Sequence, residues 1–190
     1  MAFLRGINAG GRKPLKMADL RAAFEAMGFK NVRTVLASGN VVFEATRPAS
    51  RGEAPPPAFD MGPHGTVAVA EQVERGLLQA FAPPLSVAVR TLADVRRLVD
   101  SAPFQAVVLT PDTRLYITFL SRPEESRPDF AYESPEGDLM IRRISPGEVA
   151  GTVVLSPRRG STELMKLIDK EFGPTVTTRN WDTVGKVLKA

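Results

Sequence analysis

The chain has 190 residues, of which 43% are apolar and 24% are charged, so its composition is that of an ordinary folded protein with one large domain or two small ones. It has no Cys and a single His, His64, which cannot form a zinc site without further nitrogen or sulfur ligands. Disulfides, thiolate metal ligands and Cys nucleophiles are therefore excluded, and we predict neither a metal nor a cofactor.

Charge and hydropathy bear on the partners and the cellular location of the protein. The formal net charge is +4, and small clusters of Lys and Arg are compatible with an anionic partner, although no long block of like charges requires one. No apolar stretch approaches the ~20 residues that span a bilayer, and no basic segment followed by a long apolar core stands at the N-terminus. We therefore predict a cytoplasmic protein without membrane contact.

Residues 1–90 alternate between strand and helix patterns in the order β-α-β-β-α-β. Strands are predicted from short apolar or β-branched runs at 2–7, 31–36, 41–45 and 85–90. Helices are predicted at 17–28 and 66–81, where apolar side chains recur every three or four residues. Prolines and glycines make 46–65 a long Pro-rich loop. This order is typical of a ferredoxin-like unit, whose sheet order is 4-1-3-2.

Residues 91–190 repeat the same order after a connecting helix at 91–100, with Thr91 as its predicted cap. Strands are predicted at 115–120, 138–144, 149–155 and 175–179. Helices are predicted to start at Arg122 and at Ser161, and a last helix covers 180–189. The predicted fold is therefore α+β, with two ferredoxin-like (βαββαβ) units packed together, 1–90 and 91–190, and an additional C-terminal helix.

The predicted sheet order brings two turn-like motifs together. Strands one and three are central and antiparallel, so the turn at 5–8 lies beside the hairpin at 38–40. Backbone N–H groups of a Gly-rich turn and nearby cations can converge on a phosphate. We predict a site here for a small anionic or nucleotide-like ligand. Its charge would come from Arg5, Lys13 and Lys16, and its hydrogen bonds from Asn8, Ser38 and Asn40.

A structural interpretation of the same motif stays open. Gly6, Gly10 and Gly11 have the spacing of neither a Walker loop nor a dinucleotide fingerprint. The two adjacent glycines can simply let the chain turn from strand to helix, while Asn8 bonds to nearby backbone.

The C-terminal segment at 178–183 is the second candidate for a site. Asn180 is placed as an N-cap, Asp182 stands in the first turn where the helix dipole favours an acid, and Trp181 belongs to an apolar stripe. These roles leave Arg179 as a cation at a strand end, free to meet an anion or a carboxylate. We therefore add Arg179 to the predicted ligand-binding residues.

Four other interpretations are open at this point. An RNA-binding sheet would stack bases on Phe3 and Phe43 of the central strands, but both lie in runs typical of a core. Nucleic acid could also bind to basic faces, with an affinity that falls with salt. An enzyme would use acid–base chemistry of Asp or Glu, but no paired carboxylates are found and no catalytic residue is predicted. In the last alternative the protein is a structural or interaction module, and the motifs only hold its two halves together.

Four segments of the chain resemble the bacterial family DUF1697, a domain of unknown function: 2–11, 16–21, 38–43 and 178–183. The resemblance implies two ferredoxin-like units in one compact α+β protein, and it implies no activity. Ala9 stands where Val is common in the family, and Asp182 stands where Asn is common. The Pro-rich loop at 46–65 resembles an expansion.

Overall fold

The computed structural model describes residues 1–8, 14–45, 63–81, 84–122 and 129–190. Within these residues the chain forms a mixed α+β structure with two antiparallel sheets and five helices. The elements in chain order are β1 (Ala2–Leu4), α1 (Met17–Ala26), β2 (Lys30–Val35), β3 (Asn40–Glu44), α2 (Pro63–Ala80), β4 (Val87–Val89), α3 (Leu92–Asp100), β5 (Thr113–Phe119), β6 (Ala131–Glu133), β7 (Leu139–Arg143), β8 (Glu148–Val154), α4 (Ser161–Phe172), β9 (Thr177–Asn180) and α5 (Trp181–Leu188).

The first sheet has the strand order β2-β3-β1-β4, with antiparallel neighbours throughout. This is the predicted order 4-1-3-2, read from the opposite edge. Helices α1 and α2 cover one face, and their buried side chains Leu20, Phe24, Val73 and Leu77 pack on Leu4 and other residues of the strands. The pattern of apolar residues every three or four positions therefore buries one stripe of each helix.

The second sheet has the strand order β6-β7-β8-β5-β9. Helix α4 covers one of its faces, where Leu164 and Ile168 pack on apolar side chains of β7 and β8. The edge strand β6 was not predicted from the sequence, because three residues with exposed side chains give no apolar alternation. The helix predicted to start at Arg122 falls on residues 123–128, which lie outside the described part of the chain.

The remaining faces of the two sheets meet in a shared core. Along β1 successive side chains point to opposite faces, so Leu4 packs under the helices while Phe3 reaches the second sheet. The Phe3 and Phe119 rings stack with centroids 4.1 Å apart and planes 11° apart. Helices α3 and α5 complete this core with Val95, Val184 and neighbouring apolar residues.

The core interpretation of the two central phenylalanines is confirmed. Phe3 is fully buried between the sheets, while Phe43 packs with Phe24 and Phe29 on the helical side of the first sheet. The two rings therefore lie on opposite faces of the sheet. They do not form a platform on which RNA bases could stack.

Several predicted boundaries need correction. The first strand ends at Leu4 rather than residue 7, because Gly6 and Asn8 adopt positive φ angles of 67° and 56°. The Pro-rich loop ends before Pro63, which begins α2, since proline suits the first position of a helix. His64 therefore lies in α2, and residues 46–62 are outside the described part. None of the described helices has the length and apolar character that crossing a membrane requires.

One buried hydroxyl gives a first prediction. Thr177 on β9 is 1% exposed, and its Oγ1 has no hydrogen-bond partner within the described part of the chain. Since an unsatisfied buried hydroxyl costs ~1–3 kcal/mol, we expect Thr177→Val to raise the free energy of unfolding by about 1 kcal/mol in urea denaturation. Thr118→Val is the matched control. It removes the 2.8 Å hydrogen bond to Thr178 and should lower stability, so a loss in both variants would contradict the prediction.

Candidate functional site

The two turns that the sequence brings together are in contact in the structure. The Leu4 amide donates to the Gly39 carbonyl at 2.9 Å, and Asn8 Nδ2 donates to the Ala37 carbonyl at 2.8 Å. Gly39 has a φ of 76°, and a Cβ at this position would lie 3.2 Å from the Ile7 side chain. Glycine at Gly39 is therefore required by both backbone conformation and close packing.

Asn8 joins the turn to the entry of α1. Its Nδ2 also donates to the Leu15 carbonyl at 3.1 Å, and its Oδ1 accepts from the Leu15 amide at 2.6 Å. These bonds connect the two sides of residues 9–13. These five residues, which include Lys13, lie outside the described part of the chain. Lys16 is exposed at the N-cap of α1. Asn8 thus satisfies backbone groups locally, as the structural interpretation of the motif requires.

Ser38 and Asn40 are also engaged within the protein. Asn40 is fully buried, and its Nδ2 donates to the Val35 carbonyl at 2.8 Å and to Ser38 Oγ at 3.0 Å. Its Oδ1 accepts from Arg179 Nε at 2.5 Å. The amide side chain therefore closes the β2–β3 hairpin on one side and holds a residue of β9 on the other.

Arg179 reaches from the second sheet into the first. Besides the bond to Asn40, its Nη2 donates to the Leu4 carbonyl at 2.6 Å and to the Ser38 carbonyl at 2.9 Å. Within the described residues it has no carboxylate partner, and it is 9% exposed. Burial lowers the pKa of Arg179 to about 10, so the guanidinium keeps its charge at neutral pH. The sequence predicted a free cation here, whereas Arg179 is held by internal acceptors.

Arg5 makes a second contact between the same parts of the molecule. Its Nη1 and Nη2 donate to the two carboxylate oxygens of Asp169 on α4 at 2.9 and 2.7 Å, and Nη1 also donates to the Val176 carbonyl at 2.7 Å. Such a two-pronged pair fixes orientation as well as adding energy. Arg5 is half-buried, and its charge is directed at Asp169 rather than at an open pocket.

Arg90 plays a comparable role that the sequence reasoning missed. It follows β4 and is 6% exposed, and its Nη2 donates to the carbonyls of Leu120 and Gly147 at 2.9 and 2.6 Å. Its Nε forms an ion pair with Glu148, and its guanidinium lies 5.6 Å from the Phe119 ring centroid. A lone Arg at a strand end has no signature in the sequence that would have identified this position.

We call Arg5, Arg90 and Arg179 the arginine clasp, because each crosses between the parts of the chain that carry the two sheets. Their acceptors are mostly main-chain carbonyls at strand ends, where the ladder hydrogen bonds stop. Arginine suits this role because its planar guanidinium presents five donors in a fixed arrangement.

The clasp gives a second prediction. A Cβ at Gly147 would lie 2.7 Å from Arg90 Nη2, which is pinned by its acceptors. We expect Gly147→Ala to displace Arg90 and to lower the free energy of unfolding by about 2 kcal/mol, as overpacking does. Gly185→Ala in α5 is the control, since no atom lies within 4 Å of its added Cβ. It should gain about 1 kcal/mol from helix propensity, and equal effects of both changes in thermal unfolding would contradict the prediction.

A cavity of about 520 Å³ lies on the second sheet, away from the clasp. Its floor consists of two rows of side chains across neighbouring strands, which the strand registers place on one face. The first row is Ala131, Arg142 and Ala150, and the second is Glu133, Met140 and Thr152. The floor therefore combines three apolar side chains with one acid, one cation and one hydroxyl.

The loop that follows α3 forms the opposite wall of this cavity. Pro103, Phe104, Ala106 and Val107 line it. Phe104 is buried and meets Trp181 of α5 edge to face, with centroids 5.3 Å apart. The C-terminal motif thus supports the cavity wall through Trp181, a role that its sequence did not indicate.

A family model described as "Protein of unknown function (DUF1697)" matches residues 1–54 and 58–138. The match covers more than half of the chain. The chain belongs to the DUF1697 family. The resemblance inferred from the sequence motifs is therefore confirmed, and the DUF1697 match includes both turns described above and all of β6. It ends before Arg179, so the clasp joins the matched segments to a C-terminal part beyond them.

The fold recurs in a solved structure. The DUF1697 chain is similar to a structure described as the conserved bacterial protein SP0830 from Streptococcus pneumoniae, with 19% sequence identity and a TM-score of 0.68. The similarity covers 99% of this chain and 95% of the other. At this identity the similarity shows the fold alone. A search of the curated proteins finds no match.

Proposed function

We propose that this DUF1697 protein is a binding protein that takes a small, largely apolar ligand in the cavity on its second sheet. The observation that carries the proposal is the cavity itself, with a volume of about 520 Å³ and mostly apolar walls. Small-molecule sites usually have volumes of ~300–1,000 Å³, apolar linings and few polar groups. Walls built from a sheet and from Phe104, which packs against Trp181, support a preformed site.

Both units are part of the proposal. We propose that 1–90 and 91–190 are ferredoxin-like units, supported by the order β2-β3-β1-β4 in one sheet and by β7-β8-β5-β9 within the other. In the second unit β6 extends the sheet at its edge, and the proposed ligand would lie partly on this added strand. The arginine clasp would hold the units together, so its residues serve the structure and not the ligand.

Ligand binding can be tested with benzyl alcohol as the probe and the fluorescence of Trp181, the single Trp of the chain, as the readout. We expect a saturable change in the wild type. Ala131→Phe places a ring at the exposed edge of the cavity and should weaken binding at least ~10-fold. Ala22→Phe, on the exposed side of α1, is the matched control and should bind like the wild type. The absence of saturable binding, or equal binding by Ala131→Phe, would overturn the proposal.

A second candidate is a small anionic or nucleotide-like ligand at the turn that follows β1 and the adjacent hairpin. One observation favours it: Lys16 is exposed at the start of α1 and has no ion-pair partner among the described residues. We expect phosphate or a nucleotide to bind the wild type more strongly than Lys16→Ala, with Lys30→Ala on β2 as the control. Nucleic acid on the basic faces would instead bind with an affinity that falls steeply with salt. Identical phosphate and nucleotide titrations of all variants would remove the anionic-ligand candidate.

A further inference from the structure

Two opposite charges line the cavity without being paired with each other. Glu133 on β6 and Arg142 on β7 are diagonal neighbours on the same face, since Ala131 is opposite Arg142 and Glu133 is opposite Met140. Diagonal neighbours are ~7–8 Å apart, with their Cβ atoms somewhat closer. Arg142 donates only to the Pro103 carbonyl, at 3.3 Å, and the Glu133 carboxylate has no bond or ion pair within the described residues. An acid and a cation are thus both available to a ligand.

The two charged side chains of the lining have different neighbours. Arg142 reaches the loop after α3, which forms the wall opposite the sheet. Glu133 Oε1 lies near the turn between β6 and β7, 3.6 Å from the position of a Cβ on Gly137. Between them the floor consists of Met140 with Ala131 and Thr152. The lining thus combines apolar side chains with one negative and one positive side chain that are not paired with each other.

Thr152 is a third polar residue of the cavity, in one row with Glu133 and Met140. Thr152 is 7% exposed and lines the cavity, and its hydroxyl makes no hydrogen bond within the described part of the chain. A ligand in the cavity that bonds to this hydroxyl would gain a hydrogen bond. The Glu133 carboxylate can bind a cationic group and the Arg142 guanidinium can bind an anionic group. The Thr152 hydroxyl offers a neutral hydrogen-bonding partner.

From this arrangement we infer that the ligand is a small zwitterion with an apolar body, namely an apolar amino acid or a short peptide with both ends free. Its ammonium group binds Glu133, its carboxylate binds Arg142, and its side chain fills the cavity above Met140. The inference rests on the proposed function, because it names the chemical class of the ligand in that cavity. Arginine and carboxylate groups form strong charge-assisted hydrogen bonds, so loss of either charge should be measurable.

The test compares ligands that differ only in charge, with Trp181 fluorescence as the readout. L-phenylalanine and leucyl-phenylalanine carry both charges, and their comparison distinguishes adjacent from separated charges. Phenethylamine lacks the carboxylate, 3-phenylpropionate lacks the ammonium, and N-acetylphenylalaninamide lacks both. We expect at least one zwitterion to bind ~10-fold or more tightly than each of the other three, as one charge-assisted bond requires.

Two variants assign the charges. Arg142→Gln should weaken binding of the zwitterion and of 3-phenylpropionate but not of phenethylamine. Glu133→Gln should weaken binding of the zwitterion and of phenethylamine but not of 3-phenylpropionate. Both residues are exposed, so neither change threatens folding, and Arg158→Gln at another exposed position should have no effect. If N-acetylphenylalaninamide binds as tightly as the zwitterions, the cavity still binds ligand and the inference is wrong. If benzyl alcohol and all five compounds fail to bind, the proposed function fails as well.

Discussion

Arg179→Ala is expected to lower the free energy of unfolding by about 3 kcal/mol, measured by urea denaturation. The change removes the donor to Asn40 Oδ1 and to the Leu4 and Ser38 carbonyls, at 2.5, 2.6 and 2.9 Å. The Asn40 and Leu4 acceptors are buried and the Ser38 carbonyl is half-buried. A buried acceptor without a donor costs ~1–3 kcal/mol. Hydrogen exchange of the Leu4 amide, which pairs with Gly39, should accelerate in the same variant.

Two further variants test whether the lost hydrogen bonds cause the lower stability of Arg179→Ala. Arg158→Ala removes an exposed cation with no side-chain contact among the described residues, and should change stability by less than ~0.5 kcal/mol. Arg179→Met keeps apolar volume but provides no donor, so it should be nearly as unstable as Arg179→Ala. Buried charges are sometimes replaced by apolar residues without loss. Recovery of full stability in Arg179→Met would therefore contradict a stabilising role for these bonds.

The position of Arg179 was predictable from the sequence, but its partners were not. Strand order follows from local apolar patterns and turn residues, which is why the meeting of the turn after β1 with the Ser38–Asn40 hairpin was predicted correctly. The approach of Arg179 depends on how two sheets pack face to face. Local periodicity carries no information on that packing, so a cation at a strand end was predicted to be free.

The cavity was missed for a related reason. Its edge strand, β6, is three residues long and has exposed side chains, and its floor combines two residues from each of β6, β7 and β8. Glu133 and Arg142 are neighbours only because of the register between β6 and β7. A sequence motif can indicate residues that are close along the chain, whereas a site assembled by strand register has no such signal.

Phe119→Ala is expected to lower the free energy of unfolding by about 3–5 kcal/mol, the usual cost of truncating a buried Phe. Phe119 on β5 is fully buried, stacks on Phe3 of the first sheet and lies against the Arg90 guanidinium. Truncation therefore leaves a cavity between the sheets and also removes a surface on which Arg90 packs. Urea denaturation measures the loss, and Leu78→Ala on the exposed side of α2 is the control, expected to change stability little.

A double-mutant cycle separates ring stacking from burial. Phe3→Leu and Phe119→Leu each keep most of the apolar volume, so their joint effect isolates the contact between the rings. Because aromatic pairs contribute ~0.5–1.5 kcal/mol beyond burial, we expect a coupling energy in that range. Strict additivity would show that the rings only fill space. If Phe119→Ala lowers the free energy of unfolding no more than Leu78→Ala does, the shared core is contradicted. Separate sheets would leave Phe119 exposed, and its truncation would then change stability little.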